Sequence, residues 1–88
     1  MISKWGTGID AIDKETATRL GVFVGNTLNA FTIPVSETAM GYILSFARKL
    51  PFMDDDMHAG IWNKPPITTL SECTLGIIGV GNIGQAMV

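Results

Sequence analysis

An apolar run followed by three spaced glycines constrains the fold of this chain more than any other feature. Residues 74–78, TLGII, are predicted to form a strand buried on both faces. Gly79, Gly81 and Gly84 follow at the spacing G-x-G-x-x-G, and the residues after Gly84 continue with a helical pattern. A strand, a glycine turn and a helix start form the opening of a parallel βαβ unit, so the chain is predicted to have an α/β fold.

Each glycine of this motif has a physical role in holding a dinucleotide. Gly79 makes the tight turn, Gly81 lets the backbone approach a pyrophosphate, and Gly84 lets the helix pack closely on the strand. The N–H groups at the helix start and the helix dipole hold the negative charge. The acidic residue that binds the ribose would lie about 20 positions further on, beyond Val88. A glycine turn without a ligand, and a site for another nucleotide such as S-adenosylmethionine, stay open as alternatives.

A second glycine-rich turn, WGTG, comes directly after a short predicted strand at residues 2–5. Glycines leave backbone N–H groups bare, and such groups can hold a carboxylate, to which Thr7 would add a hydroxyl. The alternative is a turn in which Gly6 and Gly8 supply only unusual backbone angles. The sequence leaves both interpretations open.

The pattern between the two glycine turns predicts helices and one further strand. Asp13 is expected to cap a helix over Lys14–Leu20. Val22–Val24 is predicted to be a short buried strand because it is β-branched and aromatic. A long helix is predicted over Val35–Leu50, where apolar residues recur at helical spacing. Its apolar cover is wide, which indicates burial on two sides.

Prolines mark the ends of this long helix. Pro34 suits its first turn, and Thr32 or Ser36 is expected to cap it. Pro51 is expected to end or kink the helix, and a shorter helix is predicted over residues 52–59.

Composition excludes several classes of function. The net charge of −2 gives no electrostatic footprint for nucleic acid or for an anionic membrane surface. No run approaches 18 apolar residues, so no transmembrane helix is predicted. Cys73 is the only cysteine and no signal peptide is recognisable, which indicates a reducing, cytoplasmic location. His58 has no partner at ligand spacing, and the acidic run at residues 54–56 is interpreted as a solvated face, so no metal site is predicted.

The order of the short motifs resembles a known family. They are GTGID, GVFVGNT, SETA, ARKLP, AGIW and TLGIIGVGNIG. In this succession the chain resembles the middle of the NAD-dependent D-2-hydroxyacid dehydrogenases, the family of phosphoglycerate dehydrogenase and glyoxylate/hydroxypyruvate reductase. The resemblance covers essentially all 88 residues.

This resemblance implies a fragment of a two-domain, doubly wound (Rossmann-like) protein with a parallel sheet in each domain. Residues 1–28 resemble the closing segment of the flavodoxin-like substrate domain, and residues 29–88 the opening of the NAD-binding Rossmann domain. The helix at Val35–Leu50 and the arm after it resemble the part of the family that builds its dimer interface. A homodimer is therefore implied.

The resemblance also implies roles for individual residues. Thr7 matches a position that approaches the cofactor, and the backbone of Thr7 and Gly8 matches the turn that receives the substrate carboxylate. The backbone of Asn82 and Ile83 matches the pair that meets the pyrophosphate. The family more often has arginine where Asn82 stands, which implies a weaker phosphate contact here. The implied cofactor is NAD, and NADP is not excluded.

The family's catalytic arginine, its acidic partner and its histidine lie after the glycine loop, so no catalytic residue is predicted among these 88. The resemblance implies hydride transfer between nicotinamide and a 2-hydroxy acid or 2-keto acid in an intact parent enzyme. The 88 residues alone are expected to be a truncated, inactive piece. The alternative is a non-enzymatic interaction protein, like the corepressor C-terminal-binding proteins of the same fold, which dimerises through the helix at Val35–Leu50.

Overall fold

The computed structural model describes all 88 residues, which form four α-helices, one 3₁₀ turn and a single two-stranded sheet. In chain order the elements are β1 (Ile2–Lys4), α1 (Lys14–Arg19), β2 (Val24–Asn26), α2 (Thr32–Ala47), α3 (Leu50–His58), the 3₁₀ turn (Leu70–Glu72) and α4 (Asn82–Gln85). The two strands pair in parallel across the α1 crossover. The predicted α/β class is therefore confirmed at this level.

The unit β1-α1-β2 follows the local signals of the sequence. In its sheet Ile2 pairs with Val24. The Asp13 carboxylate accepts a hydrogen bond from the Thr16 N–H at 2.9 Å and caps α1. This N–H also holds the pKa of Asp13 below its usual value. After α1, Gly21 has a φ of 65°, the left-handed conformation typical of a helix end. The predicted helix and its cap are confirmed.

The second strand begins two residues later than predicted and is not fully buried. The Val22 N–H donates to the Ala17 carbonyl at 2.8 Å, so Val22 closes the end of α1 and does not belong to a strand. Phe23 is 69% exposed, although its carbonyl accepts the Ile2 N–H at 2.8 Å. The predicted buried strand at Val22–Val24 was therefore wrong in its position and in its burial.

Helix α2 begins three residues before the predicted start. Phe31 occupies the N-cap position without a side-chain cap, and Thr32 is already the first helical residue. The Ser36 hydroxyl lies inside the helix and donates to the Ile33 carbonyl at 2.9 Å. Neither predicted capping residue performs that role, because the chain enters the helix before either side chain could reach free N–H groups. Pro34 does lie in the first turn, as predicted.

A left-handed residue separates α2 from α3. Helix α2 ends at Ala47, three residues before the predicted end at Leu50, and Lys49 then has a φ of 54°. Pro51 is the second residue of α3, so the break between the two helices lies before Pro51 and not, as predicted, at Pro51. The predicted two-sided burial of the long helix is not found. Tyr42 is 72% exposed and Phe46 is 83% exposed.

The predicted strand at residues 74–78 is absent, which corrects the first expectation drawn from the sequence. The sheet consists of β1 and β2 alone, and residues 74–78 have no neighbouring strand to bond. A strand needs a paired neighbour for its backbone groups, so an apolar pattern by itself does not produce one. Ile78 is fully exposed. Helix α4 begins at Asn82, as predicted, but has only one turn.

The molecule is elongated and has almost no core. Only Ala17, Ser36 and Gly84 are buried. The radius of gyration is 20.6 Å, against about 12 Å for a compact domain of this length. Much apolar surface is therefore open to solvent. None of the helices has the length and apolarity needed to cross a bilayer.

Candidate functional site

A cleft of about 350 Å³ joins three segments: the glycine turn after β1, the connector between β2 and α2, and the loop that leads into α4. Its lining residues are Thr7, Leu28, Phe31, Thr32, Gly79, Gly81, Asn82, Ile83 and Gly84. The cleft thus brings together Thr7 and all five residues predicted from the glycine motif, which lie at opposite ends of the chain. Gly8, the other residue of the predicted substrate turn, is not among the lining residues.

The three motif glycines have different geometries. Gly79 has a φ of 87°, a left-handed conformation that favours glycine. A Cβ added to buried Gly84 would overlap the carbonyl oxygen of Gly79, so only glycine fits where α4 closes onto the loop. A Cβ on Gly81 would meet nothing within 4 Å. The chain therefore leaves open room at Gly81, beside the cleft.

The start of α4 carries backbone donors without partners. The first α4 residues cannot bond within a helix of one turn, and the N–H groups of Asn82 and Ile83 have no acceptor elsewhere in the chain. The Gln85 N–H is the first to bond, to the Gly81 carbonyl at 2.9 Å. Two adjacent free N–H groups beside an open glycine can donate hydrogen bonds to the oxygens of a pyrophosphate.

The glycine turn after β1 is fixed on the connector. The Gly6 N–H donates to the Thr27 hydroxyl at 3.0 Å, and Gly6 itself has a φ of 139°. The Thr7 hydroxyl donates to the carbonyls of Thr27 and Leu28, both at 3.2 Å. These bonds hold the Thr7 side chain against the connector at the cleft.

The same turn also presents free donors. The Asn26 side-chain amide donates to the Thr7 carbonyl at 2.7 Å, which fixes the peptide on that side. The N–H groups of Thr7 and Gly8 have no acceptor in the chain. Two consecutive N–H groups on a held turn can receive a carboxylate.

Two contacts that the sequence did not predict connect these segments. The ring of Trp5 meets that of Phe31 edge to face, with centroids 6.2 Å apart. The Asn82 side-chain amide donates to the Asn29 side-chain oxygen at 2.6 Å. Residues 29 and 82 are so far apart in sequence that no spacing rule could have indicated this pair.

Other candidate sites offer less chemistry. His58 contacts only Asp54, four residues earlier on α3, and both side chains are largely exposed. No group of three or more His, Cys, Asp or Glu residues lies close enough to hold a metal ion. A larger groove, of about 690 Å³, lies between α2, α3 and the 3₁₀ turn, but apolar side chains make up most of its lining. It lacks the paired donors that the smaller cleft provides.

Comparison with known proteins identifies the class to which this site belongs. Residues 40–88, which include the glycine loop and α4, match the family model for the D-isomer specific 2-hydroxyacid dehydrogenase, NAD binding domain. The chain is 38% identical over 87 residues to human D-3-phosphoglycerate dehydrogenase. The aligned stretch covers 97% of this chain and 16% of that protein. It is 39% identical over 87 residues to the hydroxypyruvate reductase of Thermotoga maritima, and this alignment covers 97% of this chain and 28% of that protein. It is 33% identical over 96 residues to the glyoxylate reductase of Thermococcus litoralis, and this alignment covers 99% of this chain and 29% of that protein.

The matched segment is thus an NAD-binding one. The chain belongs to the D-isomer specific 2-hydroxyacid dehydrogenase family. This confirms the resemblance drawn from the motifs, and it supports NAD as the cofactor. The chain spans less than a third of the length of each of these relatives.

Proposed function

We propose that this chain supplies the pyrophosphate loop and the carboxylate turn of an NAD-dependent oxidoreductase that acts on the CH–OH group of a 2-hydroxy acid, or on the matching 2-keto acid. The observation that carries the proposal is the cleft, which joins Thr7 to the glycine loop in a chain of this family. The proposed cofactor-binding residues are Thr7, Gly79, Gly81, Asn82, Ile83 and Gly84, and the proposed substrate-binding residues are Thr7 and Gly8.

Free backbone N–H groups support the two tasks, those of Asn82 and Ile83 at the cleft and those of Thr7 and Gly8 on the glycine turn after β1. The N–H groups of Asn82 and Ile83 bind pyrophosphate oxygens, and the open side of Gly81 lets the phosphate approach the backbone. The N–H groups of Thr7 and Gly8 bind the substrate carboxylate. Bound NAD supplies the nicotinamide that exchanges hydride with the substrate carbon.

The cleft contains no acid or base for the proton that accompanies the hydride. Its nine lining residues are glycine, threonine, asparagine, leucine, isoleucine and phenylalanine, and none of these side chains titrates near neutral pH. Hydride transfer to a ketone needs a general acid, which must come from residues other than these. We therefore expect no turnover from residues 1–88 alone.

The proposal extends to the architecture of the working enzyme. Residues 1–28 would belong to a substrate domain and residues 29–88 to an NAD-binding domain, with the cleft at the connector between them. The exposed rings of Tyr42 and Phe46 on α2 support cover by a second subunit in a homodimer. The single exposed thiol of Cys73 supports a reducing, cytoplasmic location, and the net charge of −2 supports a small-molecule substrate over nucleic acid.

A graft into a relative tests this function. Residues 1–88 would replace the corresponding stretch of the Thermotoga maritima hydroxypyruvate reductase, to which they are 39% identical. We expect the graft to bind NADH, measured by nicotinamide fluorescence, and to reduce hydroxypyruvate. A Gly81→Val graft should fold, by circular dichroism, but lose NADH binding, because the side chain fills the open room. A folded graft that does not bind NADH would contradict the proposal, as would turnover by residues 1–88 alone.

A second function, a non-enzymatic interaction protein that dimerises through α2, is favoured by one observation. The groove of about 690 Å³ along α2 and α3 is apolar and larger than the cofactor cleft. Analytical ultracentrifugation of residues 1–88 separates the two functions. A stable, folded dimer would favour the interaction protein, and an aggregating or disordered monomer would favour the enzyme segment.

A further inference from the structure

We infer that Asn29 is a positioning residue for the glycine loop: through Asn82 it holds the loop in a fixed place relative to the Thr7 turn, and it thereby sets the affinity for the cofactor. Asn29 does not line the cleft and is not among the proposed binding residues. The inference rests on the proposed function, because cofactor affinity is its measurable consequence.

The bond between Asn82 and Asn29 is the one hydrogen bond that joins residues 79–88 to the rest of the chain. The Asn82 Nδ2 donates to the Asn29 Oδ1 at 2.6 Å. Every other hydrogen bond made by residues 79–88 stays within that segment, from the Gln85 side chain and from the backbone of Gln85, Ala86 and Met87. The polar attachment of the loop therefore depends on a single pair of side chains.

The loop has little else to fix its position. Residues 74–78, which lead into it, pair with no strand, and α4 has only one turn. Helix α4 also contacts α2, but packing contacts are not directional. A hydrogen bond between two short side chains has a narrow range of geometry, so the Asn29–Asn82 pair can set where the loop lies.

Asn29 also lies next to a residue that is hydrogen-bonded to the Thr7 turn. Asn29 directly follows Leu28, whose carbonyl accepts the Thr7 hydroxyl at 3.2 Å. Hydrogen bonds thus run from the Thr7 turn to the connector and from the connector to Asn82, and both ends of this line border the cleft. The Asn82 amide is occupied by Asn29, so in this chain the side chain of Asn82 orients the loop and its backbone N–H remains for the phosphate.

A double-mutant cycle in the graft tests the pair. Asn29→Ala and Asn82→Ala should each raise the Kd for NADH about three- to tenfold, which corresponds to one exposed hydrogen bond. The double variant should bind no more weakly than Asn82→Ala, because either change alone already breaks the bond. Because Asn29 does not line the cleft and acts only through the position of the loop, kcat of Asn29→Ala at saturating NADH should be unchanged.

Asn63→Ala is the matched control. Asn63 donates from its side chain to Asp56 at 2.9 Å, and neither residue of this exposed pair lines the cleft. Its loss should leave the Kd for NADH unchanged. Additive effects of Asn29→Ala and Asn82→Ala, or an equal effect of Asn63→Ala, would overturn the inference.

Nuclear magnetic resonance of residues 1–88 tests, without any cofactor, whether Asn29 positions the glycine loop through Asn82. In ¹⁵N spectra, Asn29→Ala should move the side-chain amide signals of Asn82 and the backbone signals of Gly79–Gly84, and Asn63→Ala should move neither. Unchanged Asn82 signals would overturn the inference. A graft that does not bind NADH even without further substitutions would contradict the proposed function, and these spectra would still decide whether Asn29 positions the loop.

Discussion

The two glycine turns of this molecule follow the same local pattern but end in different structures. The first turn follows β1, a strand that is paired with β2. Four side-chain hydrogen bonds tie this turn to the rest of the chain, three to the connector and one to Asn26 of β2. The second turn follows residues 74–78, which pair with no strand, and a single side-chain hydrogen bond ties it to the rest of the chain. The difference lies in the partners that each turn has, and not in the pattern of either sequence.

This comparison shows which parts of a strand–turn–helix pattern are local. At the second turn, the left-handed Gly79 and the close approach at Gly84 are present although the strand is absent. Turn geometry depends on backbone angles and on missing Cβ atoms, both of which are properties of the residues themselves. A strand depends on hydrogen bonds to another segment. The turn geometry of the glycine loop therefore does not require a paired strand before it.

Hydrogen exchange should give the largest contrast between the two regions. In residues 1–88 the amides of Ile2 and Val22, which are hydrogen-bonded, should exchange more slowly than those of residues 75–78. In the graft, where neighbouring strands are expected, residues 75–78 should slow by a factor of about 100 or more. Mass spectrometry of exchanged peptides measures both. Slow exchange of residues 75–78 in the 88-residue chain would show that they are paired and would remove the contrast.

Substitution of two glycines in the graft should separate turn packing from ligand room. Gly84→Ala forces a Cβ against the Gly79 carbonyl, and we expect the free energy of unfolding in urea to fall by about 1–3 kcal/mol, with loss of NADH binding. Gly81→Ala meets nothing in the chain, so it should weaken NADH binding and leave the free energy of unfolding unchanged. Equal unfolding curves for the two variants would contradict this assignment.

The smallest effect concerns the cap of α1 in the first region. The Thr16 N–H lowers the pKa of Asp13, so the ionised cap stabilises α1 above the ordinary carboxyl pKa. This contribution is lost as the pH falls through the lowered pKa. The Thr16 amide signal should follow that titration, and in Asp13→Asn, which keeps a side-chain oxygen acceptor, it should not. A Thr16 signal that titrates equally in both variants would exclude the cap as its cause.

The sequence predicted those features whose causes lie within a few residues. Asp13 caps α1, and Pro34 lies in the first turn of α2. The sequence-based predictions were wrong where the structure of a segment depends on contacts with residues outside that segment. The strand at residues 74–78 lacks a neighbour, and β2 starts late because Val22 is bonded to Ala17.

The missed part of the candidate site has the same physical origin. The contact between Asn29 and Asn82 depends on how the connector and the loop meet in space. Two asparagines carry no pattern that would indicate it. Side-chain pairs of this kind emerge only from tertiary structure, which the sequence periodicity does not encode.

The elongated shape of the molecule has a consequence for how it moves in solution. Its extents are 64 × 31 × 15 Å, so friction against water is greater than for a sphere of the same mass. In gel filtration a single chain should therefore elute early, where a compact dimer would also elute. Tumbling should be anisotropic as well, and amide vectors along the long axis should relax differently from those across it. Light scattering, which measures mass without regard to friction, distinguishes one long chain from two compact ones.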